Sequence, residues 1–120
     1  MENIIEIKGL DFAIRIVNLY KYLQNTHKEY VLSKQILRSG TSIGANISEA
    51  QYGQSKADFS SKMNMALKET NETKYWLTLL YKTEYISDEQ YNSLMNDTHE
   101  IISILMSICK TSNSNKENRQ

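Results

Sequence analysis

The stretch Leu37-Arg38-Ser39-Gly40-Thr41-Ser42-Ile43-Gly44-Ala45-Asn46-Ile47-Ser48-Glu49-Ala50 decides how this chain is read. It is dense in small residues and holds two glycines four positions apart, yet apolar side chains recur through it at helical spacing. Ile36, Ile43, Ile47 and Ala50 follow offsets of seven, four and three, which set them on one side of a helix. Gly40 and Gly44 each weaken that helix by roughly 1 kcal/mol relative to Ala. A helix with two such residues needs a compensating contact, and close approach of another helix backbone supplies one. The segment therefore speaks of packing and assembly rather than of an active site.

Four amphipathic segments organise the chain around it. The first runs from about Leu10 to Thr26, with Leu10, Ala13, Ile14, Val17 and Tyr20 forming an apolar stripe. The second starts near Tyr30 or Val31 and continues to about Tyr52, with Gly53 placed as the residue expected just past a helix terminus. Ser55 opens the third, its spacing to Asp58 resembling a capping box with a shorter acid, and the apolar positions continue to about Thr83. In the fourth, Ser87-Asp88-Glu89-Gln90 reads as an N-cap with Gln90 reaching back, followed by Tyr91, Leu94, Met95, Thr98, Ile101, Leu105, Ile108 and Cys109 at the helical period. Short connections favour antiparallel neighbours, so the expected fold is all-α, an antiparallel up-down-up-down four-helix bundle. One domain over 1–110 is expected, with a disordered C-terminal tail over 111–120, where Thr-Ser-Asn-Ser-Asn-Lys-Glu-Asn-Arg-Gln offers nothing to bury.

Composition agrees with a small helical domain. The 120 residues include no proline and four glycines, too few turn formers for a β fold. Cys109 is the only cysteine and sits in an apolar run, so it reads as a buried thiol. The start, Met1-Glu2-Asn3-Ile4-Ile5-Glu6, has no basic region of the kind that opens a signal peptide, and no apolar run reaches the ~20 residues of a membrane helix. A cytoplasmic protein that engages no membrane is the expectation.

Catalytic and metal chemistries can be tested by the residues they require. A ferritin-like dimetal site needs two Glu-x-x-His pairs, but His27 and His99 follow Gln24 and Asn96 at that spacing. One cysteine and two distant histidines cannot close a zinc site without heavy use of acids. Gly40 and Gly44 are not followed by a phosphate-binding Gly-Lys-Ser/Thr run, and Ser42 and Ser48 lack an evident base. Glu69 and Glu72 share a helix face and could chelate a cation, although such pairs more often bond to Arg or Lys. No enzyme activity, cofactor, metal or small-molecule substrate is expected.

The chain carries 14 Lys and Arg against 14 Asp and Glu, a formal net charge of zero, which argues against indiscriminate nucleic-acid binding. The distribution is uneven. Residues 12–38 hold Arg15, Lys21, Lys28, Lys34 and Arg38 against Glu29 alone, while 84–100 hold Glu84, Asp88, Glu89, Asp97 and Glu100 with no Lys or Arg. Either the two regions meet across a subunit interface, or the basic one follows a phosphate backbone; a solvated surface with neither role is the plain alternative. Arg38 and Glu49, three turns apart, are expected to form ion pairs with neighbouring helices or another subunit. Asn46 is expected to fix register, and Tyr75 and Trp76 to pack in the core or an interface.

The residues Leu37-Arg38, Ser42-Ile43, Gly44-Ala45-Asn46-Ile47 and Glu49, followed by Ser55, Asp58-Phe59, Ala66, Glu69 and Glu72, resemble a known pattern. It is that of the four-helix-bundle proteins encoded in bacterial 23S ribosomal RNA intervening sequences, a family related to the accessory variability determinants of diversity-generating retroelements. The likeness spans about Phe12 to Lys110, and its Ser-Ile-x-x-Asn-Ile-x-Glu core is quite specific. Ala50 departs from it, standing where a glycine is usual, and Tyr75-Trp76-Leu77 replaces a more aliphatic run. The resemblance implies a bundle that assembles with itself, as a pentamer by analogy with the retroelement relatives. It also implies structured RNA or a reverse transcriptase as the partner, contacted through basic surfaces. On this reading Arg15, Lys21, Lys28, Lys34 and Arg38 are the nucleic-acid-binding candidates. Arg38, Ser42, Ile43, Gly44, Asn46, Ile47, Glu49, Asp58, Phe59, Glu69 and Glu72 form the family motif. The competing expectation is a protein–protein scaffold that uses the acidic start of the fourth segment and has no nucleic-acid role.

Overall fold

The structure, a computed structural model, describes residues 3–117, with side chains through 114. Four helices make up the chain: α1 (Ile4–His27), α2 (Leu32–Ala50), α3 (Lys56–Lys82) and α4 (Asp88–Glu117). α1 packs on α2 and α4, and α3 packs on the same two, so the helices stand at the corners of a square. Residue pairs fix their directions. Gly9 and Ile16 of α1 meet Gly44 and Gly40 of α2, respectively. Glu49 and Arg38 of α2 pair with Lys62 and Glu69 of α3. Ser60 and Thr78 of α3 approach Asn113 and Tyr91 of α4, and Lys8 and Arg15 of α1 reach Glu100 and Asp97 of α4. Each pair of neighbours runs in opposite senses, the up-down-up-down bundle expected.

The two glycines find the contact their cost requires. A Cβ on Gly44 would lie 3.0 Å from the carbonyl oxygen of Gly9, and one on Gly40 would lie 2.7 Å from Ile16 Cγ1. Backbone thus meets backbone between α1 and α2, inside one chain. Between α2 and α3 the buried hydroxyls of Ser39 and Thr73 meet at 2.9 Å, two of six buried Ser and Thr residues among those described, in a mainly apolar interior.

The helix ends follow their local chemistry. Ser55 accepts from the Asp58 N–H at α3, and at α4 the Gln90 N–H donates to Ser87 Oγ while the Ser87 N–H donates to Gln90 Oε1, a complete capping box. α2 is capped from outside its own first turn. The Glu29 carboxylate accepts from the N–H groups of Ser33 at 2.7 Å and Val31 at 3.2 Å. Partial burial raises the pKa of Glu29, but the hydrogen bonds from Ser33, Leu32 and Val31 outweigh it and leave the carboxyl below its ordinary value.

Three expectations need correction. α1 begins at Ile4, capped by the Asn3 side chain, rather than at Leu10. Its core face is Ile5, Phe12, Ile16, Leu19 and Leu23, whereas Leu10 and Ile14 of the expected stripe are 62% and 52% exposed. α1 is apolar on two sides, and the stripe read from the sequence is the outer one. Finally, the expected disordered tail from 111 is helical as far as Glu117, and 118–120 lie outside the described residues. Asn113 supports this extension, accepting at Oδ1 from Ser60 Oγ and Asn64 Nδ2. Polar composition removed the burial argument for order there, but not these side-chain bonds to α3.

Candidate nucleic-acid interface

The five basic candidates divide into two groups. Arg15 leaves α1 toward α4, where Nη1 lies 2.7 Å from Asp97 and Nη2 donates to Ser93 Oγ at 2.9 Å. Lys8, two turns earlier on the same face of α1, pairs with Glu100. Two of the acids that sequence reading placed against a basic partner surface are therefore neutralised by α1 of the same chain. Arg38 leaves α2 toward α3 and sits between Glu69, at 3.3 Å, and Glu72. Trp76 Nε1 donates to that same Glu72 carboxylate at 3.0 Å. The guanidinium occupies the position that a chelated cation would take.

Lys21, Lys28 and Lys34 are different. All three are exposed, and they take no part in the ion pairs among the described residues. They belong to the end of the bundle where α1 finishes, α2 starts and the α3–α4 turn lies. Lys28 caps α1 in the left-handed conformation, with φ of 55°. The folded chain thus keeps three of the five candidates open to a phosphate backbone and holds the two arginines in intramolecular pairs.

The remaining motif positions serve the fold. Ile43 and Ile47 are fully buried, and Phe59 packs half-buried against the same core. Ser42 Oγ donates to the Arg38 carbonyl at 2.6 Å, and Asn46 Nδ2 donates to the Ser42 carbonyl at 2.8 Å. Asn46 therefore satisfies its amide within α2 instead of reaching a second helix. Glu49 pairs with Lys62 across to α3 at 2.9 Å, and Asp58 occupies the capped first turn of α3. Tyr75 is exposed while Trp76 is half-buried. Cys109 is buried, and burial pushes its thiol pKa up.

A second surface was hidden by the choice of stripe. Ile7, Leu10 and Ile14 stand on the outer side of α1, and Leu10 and Ala13 share a cavity of about 330 Å³ with Thr41, Ala45 and Ser48 of α2. A helix that is apolar on opposite sides ordinarily has both covered. The signal was present in the sequence as a second set of helically spaced residues, Phe12, Ile16, Leu19 and Leu23, beside the first.

Antiparallel helices with a small-residue seam, an apolar outer face on α1 and an end bearing exposed lysines define the class: a four-helix bundle. The chain belongs to the 23S rRNA-intervening sequence protein family, whose model matches residues 1–107. Among solved structures it is similar to a protein of unknown function from the S23 ribosomal protein family of Bacteroides thetaiotaomicron. The two are 64% identical, with a TM-score of 0.87, over 88% of this chain and 98% of that one. No curated protein matches the chain. Among the described residues, no helix is long and apolar enough to cross a membrane.

Proposed function

We propose that this protein is a non-enzymatic, self-assembling bundle that binds RNA through the end carrying Lys21, Lys28 and Lys34. The observation that carries the reading is the division of the basic residues. Arg15 and Arg38 are held by acids of neighbouring helices, while three lysines at one end stay exposed and outside the ion pairs among the described residues, Lys28 donating to the Asn25 carbonyl. A phosphate backbone is met by such cations, and each one engaged releases counterions and steepens the salt dependence. The family's association with 23S rRNA intervening sequences makes structured ribosomal RNA the first ligand to try.

Self-assembly supports this reading in a neutral chain. One protomer offers few cations, but copies joined through the outer face of α1 would present the same lysines several times, and avidity would multiply a weak contact.

The test is binding of the assembled protein to a structured ribosomal RNA fragment, titrated at low and near-physiological salt. The expected result is binding that weakens as salt rises and is lost when Lys21, Lys28 and Lys34 are changed together to Glu. No binding by the wild type at low salt would overturn the RNA reading and leave the scaffold in its place.

A further inference from the structure

At the lysine-bearing end, α1 and the α3–α4 turn border an open cleft of about 590 Å³, within the size range of small-molecule sites. Four aromatic side chains contribute to its lining, beside polar ones. His27 makes edge-on contacts with Tyr22 at 5.2 Å and Tyr85 at 5.5 Å between ring centroids, and Tyr81, stacked on Tyr91, lines it from α3. Its rim is polar, with Glu84, Asp88 and Lys82 along the turn and the start of α4. The Asp88 carboxylate accepts from the Tyr81 hydroxyl at 2.6 Å, a bond that holds that phenol protonated and raises its pKa.

Two features set this cavity apart from the other grooves of the molecule. Glu84 and Lys28 are the non-glycine residues with positive φ among those described, at 68° and 55°. Both end helices at this end of the bundle, in a conformation that glycine adopts at less cost. The second feature is the alternation of base and ring along α1: Lys21 precedes Tyr22, and Lys28 follows His27.

From the meeting of aromatic walls, carboxylate rim and flanking lysines, we propose that this cleft receives an unstacked nucleobase bearing an exocyclic amino group, from a single-stranded stretch of RNA. The inference rests on the RNA reading above and names what that end would recognise. Single-stranded RNA is read by stacking splayed bases on aromatic rings and bonding their edges. A carboxylate accepts from the amino group of cytosine or adenine, and uracil offers a carbonyl there instead. Lys82 on the rim, with Lys21 and Lys28 at the same end of the bundle, offsets the charge of Glu84, Asp88 and Glu89, so a strand can approach despite the acids.

The experiment uses the full chain and labelled single-stranded RNA oligomers of cytosine, adenine or uracil, followed by fluorescence anisotropy at low salt. Cytosine and adenine oligomers are expected to bind at least about fivefold tighter than uracil. Tyr85→Leu should weaken them about tenfold. Glu84→Gln, at an exposed site where folding is not at stake, should narrow the preference against uracil. Circular dichroism checks that each variant keeps its helices. Equal binding of all three oligomers, or binding lost on reversing Lys21, Lys28 and Lys34 but unmoved by Tyr85→Leu and Glu84→Gln, would overturn this inference and leave the RNA reading standing. An arginine-rich peptide that occupies the cleft in preference to RNA, seen as shifts of the Tyr22 and Tyr85 ring resonances, would also overturn it. Absence of any RNA binding by the wild type would overturn both.

Discussion

Replacing Gly40 by alanine separates close packing from helix propensity, because the two act in opposite directions. The new Cβ would stand 2.7 Å from Ile16 Cγ1, 2.8 Å from Cγ2 and 3.2 Å from Cβ. Ile16 is fully buried and branched at Cβ, so no terminal methyl can swing clear. Either its rotamer or the α1–α2 spacing must give, at about 1–3 kcal/mol for overpacking of this kind. Alanine returns roughly 1 kcal/mol of helix propensity. The expected net is a loss of up to about 2 kcal/mol, lowering Tm by as much as roughly 10 °C in a chain of this size. Urea denaturation followed by circular dichroism reads it, at one fixed protein concentration so that the proposed self-assembly contributes equally to every variant. Ile16→Ala alone should cost about 2–5 kcal/mol. With the clashing γ-carbons gone, the double variant should be less destabilised than the sum, by at least about 0.5 kcal/mol. A Gly40→Ala protein more stable than the wild type, or two losses that simply add, would refute the packing account of this residue.

Three further outcomes follow from features already described. Leu10→Glu charges the outer face of α1 without touching the core; sedimentation velocity should show a smaller species with helicity kept, and an unchanged size would remove that face as the self-assembly surface. The depressed pKa of Glu29 contributes stability that is present above its unfolded value near 4.5 and is lost as pH falls through the lower folded value. Glu29→Gln should therefore lower stability at neutral pH and flatten the decline below about pH 4.5, and an acid limb as steep as that of the wild type would contradict the capping role. Arg38→Met keeps the apolar stem but leaves Glu69 and Glu72 facing each other without a cation. With the Arg38 side chain 49% exposed, a cost of only about 1 kcal/mol is expected, shrinking as salt is added, together with a change in Trp76 emission. Stability that is indifferent to both the substitution and the salt would rule the cluster out as a contributor.

The parts of the fold legible in the sequence are those settled by neighbours in the chain. Ser55 with Asp58, and Ser87 with Gln90, are local arrangements, so the starts of α3 and α4 follow from spacing alone. Gly40 and Gly44 announced a close approach without saying what approached, since Gly9 and Ile16 lie far away in sequence. α1 shows where periodicity stops being enough: its two apolar sets have the same helical period, and only the packing of the other three helices decides which turns inward. The candidate site was legible as a charge imbalance. Which cations remain open depended on Asp97, Glu69 and Glu72, carboxylates brought in by other helices. Glu29 escaped notice as a cap because it stands outside the helix it serves.

The order of the helices bears on how quickly the chain can reach this structure. Three of the four interhelical contacts join helices adjacent in sequence, so each can close as a hairpin over a short connection, and only the seam between α1 and α4 spans nearly the whole chain. Local topologies of this kind are associated with fast folding. The chain also contains no proline, so the slow cis–trans isomerisation that holds back many refolding proteins has no site here. The α1–α4 seam, held by the Lys8–Glu100 and Arg15–Asp97 pairs, is the contact that must close the longest loop and bears the largest closure entropy.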